Sequence, residues 1–217
     1  MKREARKRLF AIIVILEKIY PESKTALIYK TPFELLVATI LSAQCTDKKV
    51  NEITPLLFKK YRSVTDFAHA EQTTLEQEIR PTGFFRNKAK NIIQTAQRIV
   101  KEYNGLVPNS MAELVTLAGV ARKTANIMLS SCFGKVEGIA VDTHVKRLAK
   151  RIGFSQQKDP DKIEKDLMEI IPHDKWMRIS YILVDHGRAI CDAKKPQCVK
   201  CPINELCPSR DIFFPSG

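Results

Sequence analysis

Four of the six cysteines crowd into the last part of the chain, at Cys191, Cys198, Cys201 and Cys207, a C-x6-C-x2-C-x5-C spacing. Thiolates this close in sequence can surround one metal centre, because tetrahedral sulfur ligation suits both zinc and iron–sulfur clusters. Structural zinc more often uses two short C-x2–4-C knuckles, and only one short pair is present. The spacing therefore points to a metal and leaves its identity open, with unpaired or disulfide-bonded cysteines as the plain alternative. Cys45 and Cys132 fall in apolar helical stretches and read as inert core thiols.

A second chemistry is suggested by residues 117–125, LAGVARKTA. A helix ends near Leu117, Gly119 permits a tight turn, and a new helix begins near Arg122. Backbone N–H groups at such a start lack intrahelical partners and can hold a phosphate without reading sequence. The turn Gly119, Val120, Ala121 and Arg122 is thus a candidate phosphate contact, although short αα connections are common in many proteins. Lys123 follows at the start of the second helix. An ordinary lysine titrates near about 10.4, so roughly one molecule in a few thousand carries the free amine at neutral pH. The positive helix end, Arg122 and partial burial would each push that value down and make a nucleophile of it. Downstream, Asp142 in Val141-Asp142-Thr143-His144 offers a carboxylate that could take the proton or stabilise positive charge on a sugar. Each residue also has an ordinary role: a lone lysine at a helix start is usually solvated, and Asp142 reads equally as a helix N-cap. Lys194 and Lys195, between the first two clustered cysteines, and Arg188 just before them form a basic loop. Stiffened by a metal, it could meet phosphates at low entropic cost; otherwise it is a solvated loop.

These groups must be positioned by helices. The apolar period of 3.6 residues predicts helices over 8–20, 32–44, 47–61, 87–103, 110–117, 122–133, 145–152, 161–171 and 175–189. In the fourth, Ile92, Ile93, Ala96 and Ile99 share one face. Residues 138–141 could be extended, but no sheet is apparent. The expected fold class is all-α in two lobes.

Composition agrees. Only 8 glycines in 217 residues favours helices over turn-rich β structure. Lys and Arg number 36 against 24 Asp and Glu, a formal charge of +12 that suits a polyanion such as DNA or RNA. Residues 1–16 imitate a charged and an apolar signal segment. Glu17 and Lys18 follow at once without a small-residue cleavage site, and the apolar run is too short to span a bilayer. A buried first helix and a cytoplasmic protein are expected, a setting in which clustered cysteines more often bind metal than form disulfides.

Taken in order, PFELLVATILSAQ, LAGVARKTAN, IAVDTH, DHGR and the four cysteines resemble the endonuclease III family of helix-hairpin-helix DNA glycosylases. The resemblance covers nearly the whole chain, and the combination is far more specific than any one motif. It implies a six-helix domain over about 24–135 and a discontinuous cluster domain of 1–23 with 136–217, DNA lying across both and the active site between. It implies Lys123 as a Schiff-base nucleophile, Asp142 as its carboxylate partner, and a structural 4Fe-4S cluster on Cys191, Cys198, Cys201 and Cys207. Gln44 corresponds to a residue filling the gap left by an extruded nucleotide, and Phe84 to an apolar wedge, with core packing the alternative for Phe84 and Phe85. His144 and His186 accompany the motifs and are expected to be structural.

The implied function is a bifunctional DNA glycosylase and AP lyase of base-excision repair. It would remove oxidised pyrimidines and cleave 3′ to the abasic site by β-elimination. The implied partner is double-stranded DNA with damaged bases or abasic sites, bound by a monomer with no membrane, cytoplasmic and nucleoid-associated in a prokaryote. A mismatch-specific glycosylase of the same superfamily is the nearer alternative, which Lys123 argues against. A non-enzymatic metal-stabilised nucleic-acid-binding or redox protein is the other, and it would not explain Lys123 with Asp142. The chain departs from the usual LPGVG hairpin at Ala118 and Ala121. Ala121 adds a Cβ where backbone and phosphate approach and tolerates positive φ poorly, so weaker DNA engagement is expected, relieved by Ala121→Gly.

Overall fold

The structure, a computed structural model, describes residues 3–213 and is all-α; among these residues there is no strand. Met1 and Lys2 of the basic leader, and 214–217, lie outside the described residues. The chain divides into two compact units, one continuous over Ala26–Glu137, the other joining the segment through Thr25 to the segment from Gly138 onward. Each has its own apolar core.

Helix α1 (Arg3–Ile19) begins earlier than periodicity suggests, since the basic residues before Leu9 are good helix formers. Leu9, Ile12, Ile13 and Leu16 are fully buried at i, i+3, i+4 and i+7 spacing, while Phe10 and Ile19 are exposed. The apolar run is therefore one face of an amphipathic helix. Among the described residues no helix is long and apolar enough to cross a membrane.

The continuous unit contains α2 (Pro32–Ser42), α3 (Asp47–Lys60), α4 (Val64–Ala68), α5 (Gln72–Glu78), a 3-10 turn at Arg80–Thr82, α6 (Phe85–Tyr103), α7 (Met111–Leu114) and α8 (Arg122–Phe133). Thr31 caps α2 by accepting from the Glu34 amide, Pro32 occupies its first turn, and Leu35 to Leu41 are buried. The helix stops at Ser42 rather than Gln44. Ser42 Oγ donates back to Thr39 O at 2.9 Å, and Thr46 already caps α3, so the chain must turn between them. The helix expected over 110–117 shrinks to α7, because Thr116 Oγ1 and the Leu117 amide bond back to Glu113 O and Leu114 O and tighten the chain into turns. Helix α6 packs against α4 and α5 and is the longest element of this unit.

The other unit adds α9 (Thr143–Ile152), α10 (Pro160–Ile170), α11 (Trp176–Ala189) and the short α12 (Arg210–Phe213). Residues 138–142 are irregular, with Ile139 and Val141 buried. Val145, Leu148, Ala149 and Ile152 of α9 and Ile179, Ile182 and Leu183 of α11 close this core with α1. The four-cysteine segment follows α11 with little regular structure beyond single 3-10 turns.

Candidate active site and metal centre

The hairpin before α8 is shaped by α6. Thr95 Oγ1 donates to Ala118 O at 2.9 Å and Arg98 Nη1 to Thr116 O at 2.7 Å. Gly119 has φ +76°, which favours glycine, and a Cβ there would stand 2.8 Å from Asn91 Nδ2, so the Asn91 side chain would have to shift. The Val120 amide donates to Leu117 O at 3.1 Å and its side chain is buried, which tightens the turn. Ala121 is extended, φ −90° and ψ 170°, so the positive-φ strain expected of it is absent. Any tighter DNA binding by Ala121→Gly cannot come from relief of such strain. As N-cap of α8, Ala121 has no side-chain acceptor, leaving the first-turn amides without a side-chain cap at the positive helix end. Arg122 and Lys123 are the first two residues of that helix. Lys123 is exposed, so the partial burial expected for it is not found; the core-facing positions of α8 begin at Ala125.

In the same unit, Gln44 and Phe84 both take left-handed backbone, φ 53° and φ 48°. Such a conformation costs a non-glycine residue about 1–2 kcal/mol, so the surroundings must impose it. Both side chains face solvent, Phe84 at 63% exposure, whereas Phe85 packs on the core. The core-packing alternative therefore holds for Phe85 and fails for Phe84. Between these two turns lies a residue that sequence reasoning missed. Lys88 is only 5% exposed, and its Nζ donates to Leu41 O and Thr82 O, each at 2.8 Å. Burial lowers its pKa from the ordinary lysine value, against a smaller opposing effect of Cys45. The available clue was position: Lys88 shares the apolar face of α6 with Ile92, Thr95, Ala96 and Ile99.

Asp142 belongs to the other unit. It is half-buried and caps α9, its Oδ1 accepting from the Val145 amide at 2.8 Å. The N-cap role is thus present in the structure. His144 beside it lies 3.1 Å from Arg147 Nη2 through its Nδ1, and burial lowers its pKa.

Cys191, Cys198, Cys201 and Cys207 line one largely apolar cavity with Arg151, His186 and Phe213. None of the six cysteines is in a disulfide. Three arginines fix the backbone around them. Arg8 Nη1 donates to Ile152 O and Leu206 O, Arg147 to Gly187 O and Cys191 O, and Arg151 to Asp192 O and Ala193 O. Arg151 Nη1 also lies 3.3 Å from Cys191 Sγ, and its guanidinium stacks 4.4 Å from the Phe213 ring centre. His186, buried and pushed down to about 4, meets Tyr20 Oη at 3.0 Å and Cys201 Sγ at 3.5 Å, a structural arrangement. Burial pushes Cys201 up to about 11 and raises Cys207 as well. Four half-buried thiols around one cavity are a donor set that a cationic centre fits. Among the described residues no group of three or more His, Cys, Asp and Glu is placed to hold one ion.

The basic loop is ordered by Asp192, whose Oδ1 accepts from the Lys194 and Lys195 amides at 2.8 and 3.1 Å, hydrogen bonds that hold its carboxyl below the usual range. The Lys194, Lys195 and Arg188 side chains are exposed. Cys45 lies in the turn after α2 rather than on a helix; Cys132, in the last turn of α8, is half-buried, with its thiol pushed up to about 11 by burial.

Residues 37–173 match the family described as HhH-GPD superfamily base excision DNA repair protein. Endonuclease III of Synechocystis sp. is 50% identical over 204 residues, covering 94% of this chain and 93% of the relative. Endonuclease III of Bacillus subtilis is 44% identical over 190 residues, covering 87% of this chain and 86% of the relative. Two solved endonuclease III–DNA complexes, one non-covalent and one a trapped covalent intermediate, each superpose with a TM-score of 0.91. Both are 42% identical, covering 95% of this chain and 97% of theirs.

Proposed function

Because the chain belongs to the HhH-GPD superfamily of base excision DNA repair proteins, and within it to the endonuclease III family, we propose that its DNA glycosylase and AP lyase activity runs through Lys123. The observation that carries the reading is the lysine on the first turn of α8, at a positive helix end with no side-chain cap, just past a hairpin that turns on left-handed Gly119. An anion drawn to that helix end brings a sugar–phosphate backbone to the amine. The relative captured as a DNA covalent intermediate is consistent with this.

The substrates are double-stranded DNA with oxidised pyrimidines or abasic sites. A damaged base cannot react inside the stack, so the nucleotide is extruded first, with Gln44 and Phe84 occupying the vacated space. The neutral Lys123 amine attacks C1′ of the deoxyribose; the C–N bond forms as the glycosidic bond breaks and the base departs with its electron pair. Asp142 assists by accepting a proton and balancing positive charge at the sugar. Opening of the sugar ring at C1′–O4′, with a proton passing to O4′, turns this adduct into an iminium; it acidifies the C2′ proton, whose loss expels the 3′ phosphate by β-elimination, and water then releases Lys123. Exposed Arg188, Lys194 and Lys195 supply backbone contacts.

The four clustered cysteines would hold a 4Fe-4S group, whose contribution when bound is to cross-link the segment from Cys191 to Cys207. The donor set supports this: four thiols around one apolar cavity, with arginines on the flanking carbonyls. A yellow-brown purified protein agrees; a colourless one carrying zinc does not. An enzyme of this activity would work in the cytoplasm, at the nucleoid in a prokaryote.

Borohydride trapping on duplexes carrying different lesions tests the reading. Wild-type protein is expected to give a covalent adduct with oxidised-pyrimidine and abasic duplexes, and Lys123→Ala none. No adduct from the wild type, or an adduct from Lys123→Ala, overturns it.

A further inference from the structure

A buried ammonium with two main-chain acceptors and no carboxylate hydrogen-bonded to it is an unusual use of lysine, and its partners are telling. Leu41 O belongs to the last turn of α2, where carbonyls have no intrahelical donor and the helix end is negative. Gln44 stands three residues beyond it, in left-handed backbone. Thr82 O ends the 3-10 turn that leads through Gly83, φ +69°, to Phe84, also left-handed. The Lys88 amide in turn donates to Phe84 O at 3.1 Å, the first helical bond of α6. Lys88 is therefore bonded to the segments before both strained turns and, through its own backbone, to the second turn itself.

We propose that Lys88 is a positioning residue for nucleotide extrusion: its ammonium ties the end of α2 to the turn before α6, so that Gln44 and Phe84 are presented as one rigid pair. A side chain that lacks N–H donors, or is too short to reach both carbonyls, leaves them unpaired and frees the turns from each other. The chemical step at the sugar does not involve Lys88. Extrusion of a stacked base does depend on the pair, whereas an abasic site has no base to remove from the stack. The inference rests on the extrusion roles proposed for Gln44 and Phe84.

The test uses the full holoprotein. Lys88→Met keeps length and loses the donors. Single-turnover excision from a duplex with one oxidised pyrimidine is compared with strand cleavage at a preformed abasic site, and 2-aminopurine next to the lesion reports opening of the stack. Excision is expected to fall about 10-fold or more and the fluorescence rise to be lost, with cleavage at the abasic site changed less than about 3-fold. A merely structural role lowers both activities in proportion; that result, or no change in either, overturns the proposal. Lys88→Arg and Lys88→Gln guard against a Met variant that does not fold. Arg, with charge and donors kept, is expected closer to the wild-type ratio of the two activities than Gln, and the reverse order refutes the idea. Failure of the catalytic reading is distinguishable, since the wild type would then cleave neither duplex.

Discussion

Replacing Asp142 with alanine removes a carboxylate and, with it, the acceptor for the Val145 amide at the start of α9. Asparagine removes only the charge, because its side-chain oxygen caps a helix about as well. Asp142→Ala should therefore lose about 1 kcal/mol of stability together with activity, and Asp142→Asn should lose activity at near wild-type stability. Thermal melts beside single-turnover excision check this; an active Asp142→Asn enzyme would reduce Asp142 to a cap. The N-cap was readable in sequence because its reasons are local. The exposure of Lys123 was not, since burial depends on which face of α8 meets the core, and that is settled by residues far away in sequence. Lys88 was hidden for a similar reason: its acceptors at Leu41 and Thr82 are main-chain atoms, which leave no mark in the residue types.

At the level of elements, the hairpin is the part least tolerant of change. Gly119→Ala meets both a left-handed backbone and the Asn91 side chain, and should cost about 1–2 kcal/mol from the backbone alone. Adding Asn91→Ala should recover only the part due to the clash, and affinity for abasic duplex should follow stability through the pair. Equal stability of Gly119→Ala and wild type in a chemical melt would contradict this. Most long helices were legible because their apolar faces repeat over several turns, as Ile92, Ile93, Ala96 and Ile99 do in α6. Helices α4 and α5 were not anticipated, being 5 and 7 residues long and too short to show a period. Local cues were present even so: Ser63 and Asp66 form a capping box before α4, and Glu71 caps α5. The ends of α2 and α7 were misplaced because turns tightened by Ser42 and Thr116 hydroxyls override the apolar pattern.

For the molecule as a whole, the charge of +12 sets how DNA binding should respond to salt. Each neutralised phosphate contributes about −0.9 to the slope of log affinity against log salt concentration, so several contacts predict a slope steeper than about −3. Binding of Lys123→Ala protein to abasic duplex across a salt series measures it, and a slope near zero would mean that the basic surface does not face the DNA. The interrupted unit has a different consequence, for how the protein is made. A ribosome delivers α1 first, then all of Ala26–Glu137, and only afterwards the helices against which Leu9, Ile12, Ile13 and Leu16 pack. The nascent chain must therefore carry an unsatisfied greasy stripe while the intervening unit completes itself. Ile203 joins the same core late, so the cysteines emerge just as that stripe is finally covered. A circular permutant opened between the two units, with α1 appended after the cysteine segment, would remove that waiting period.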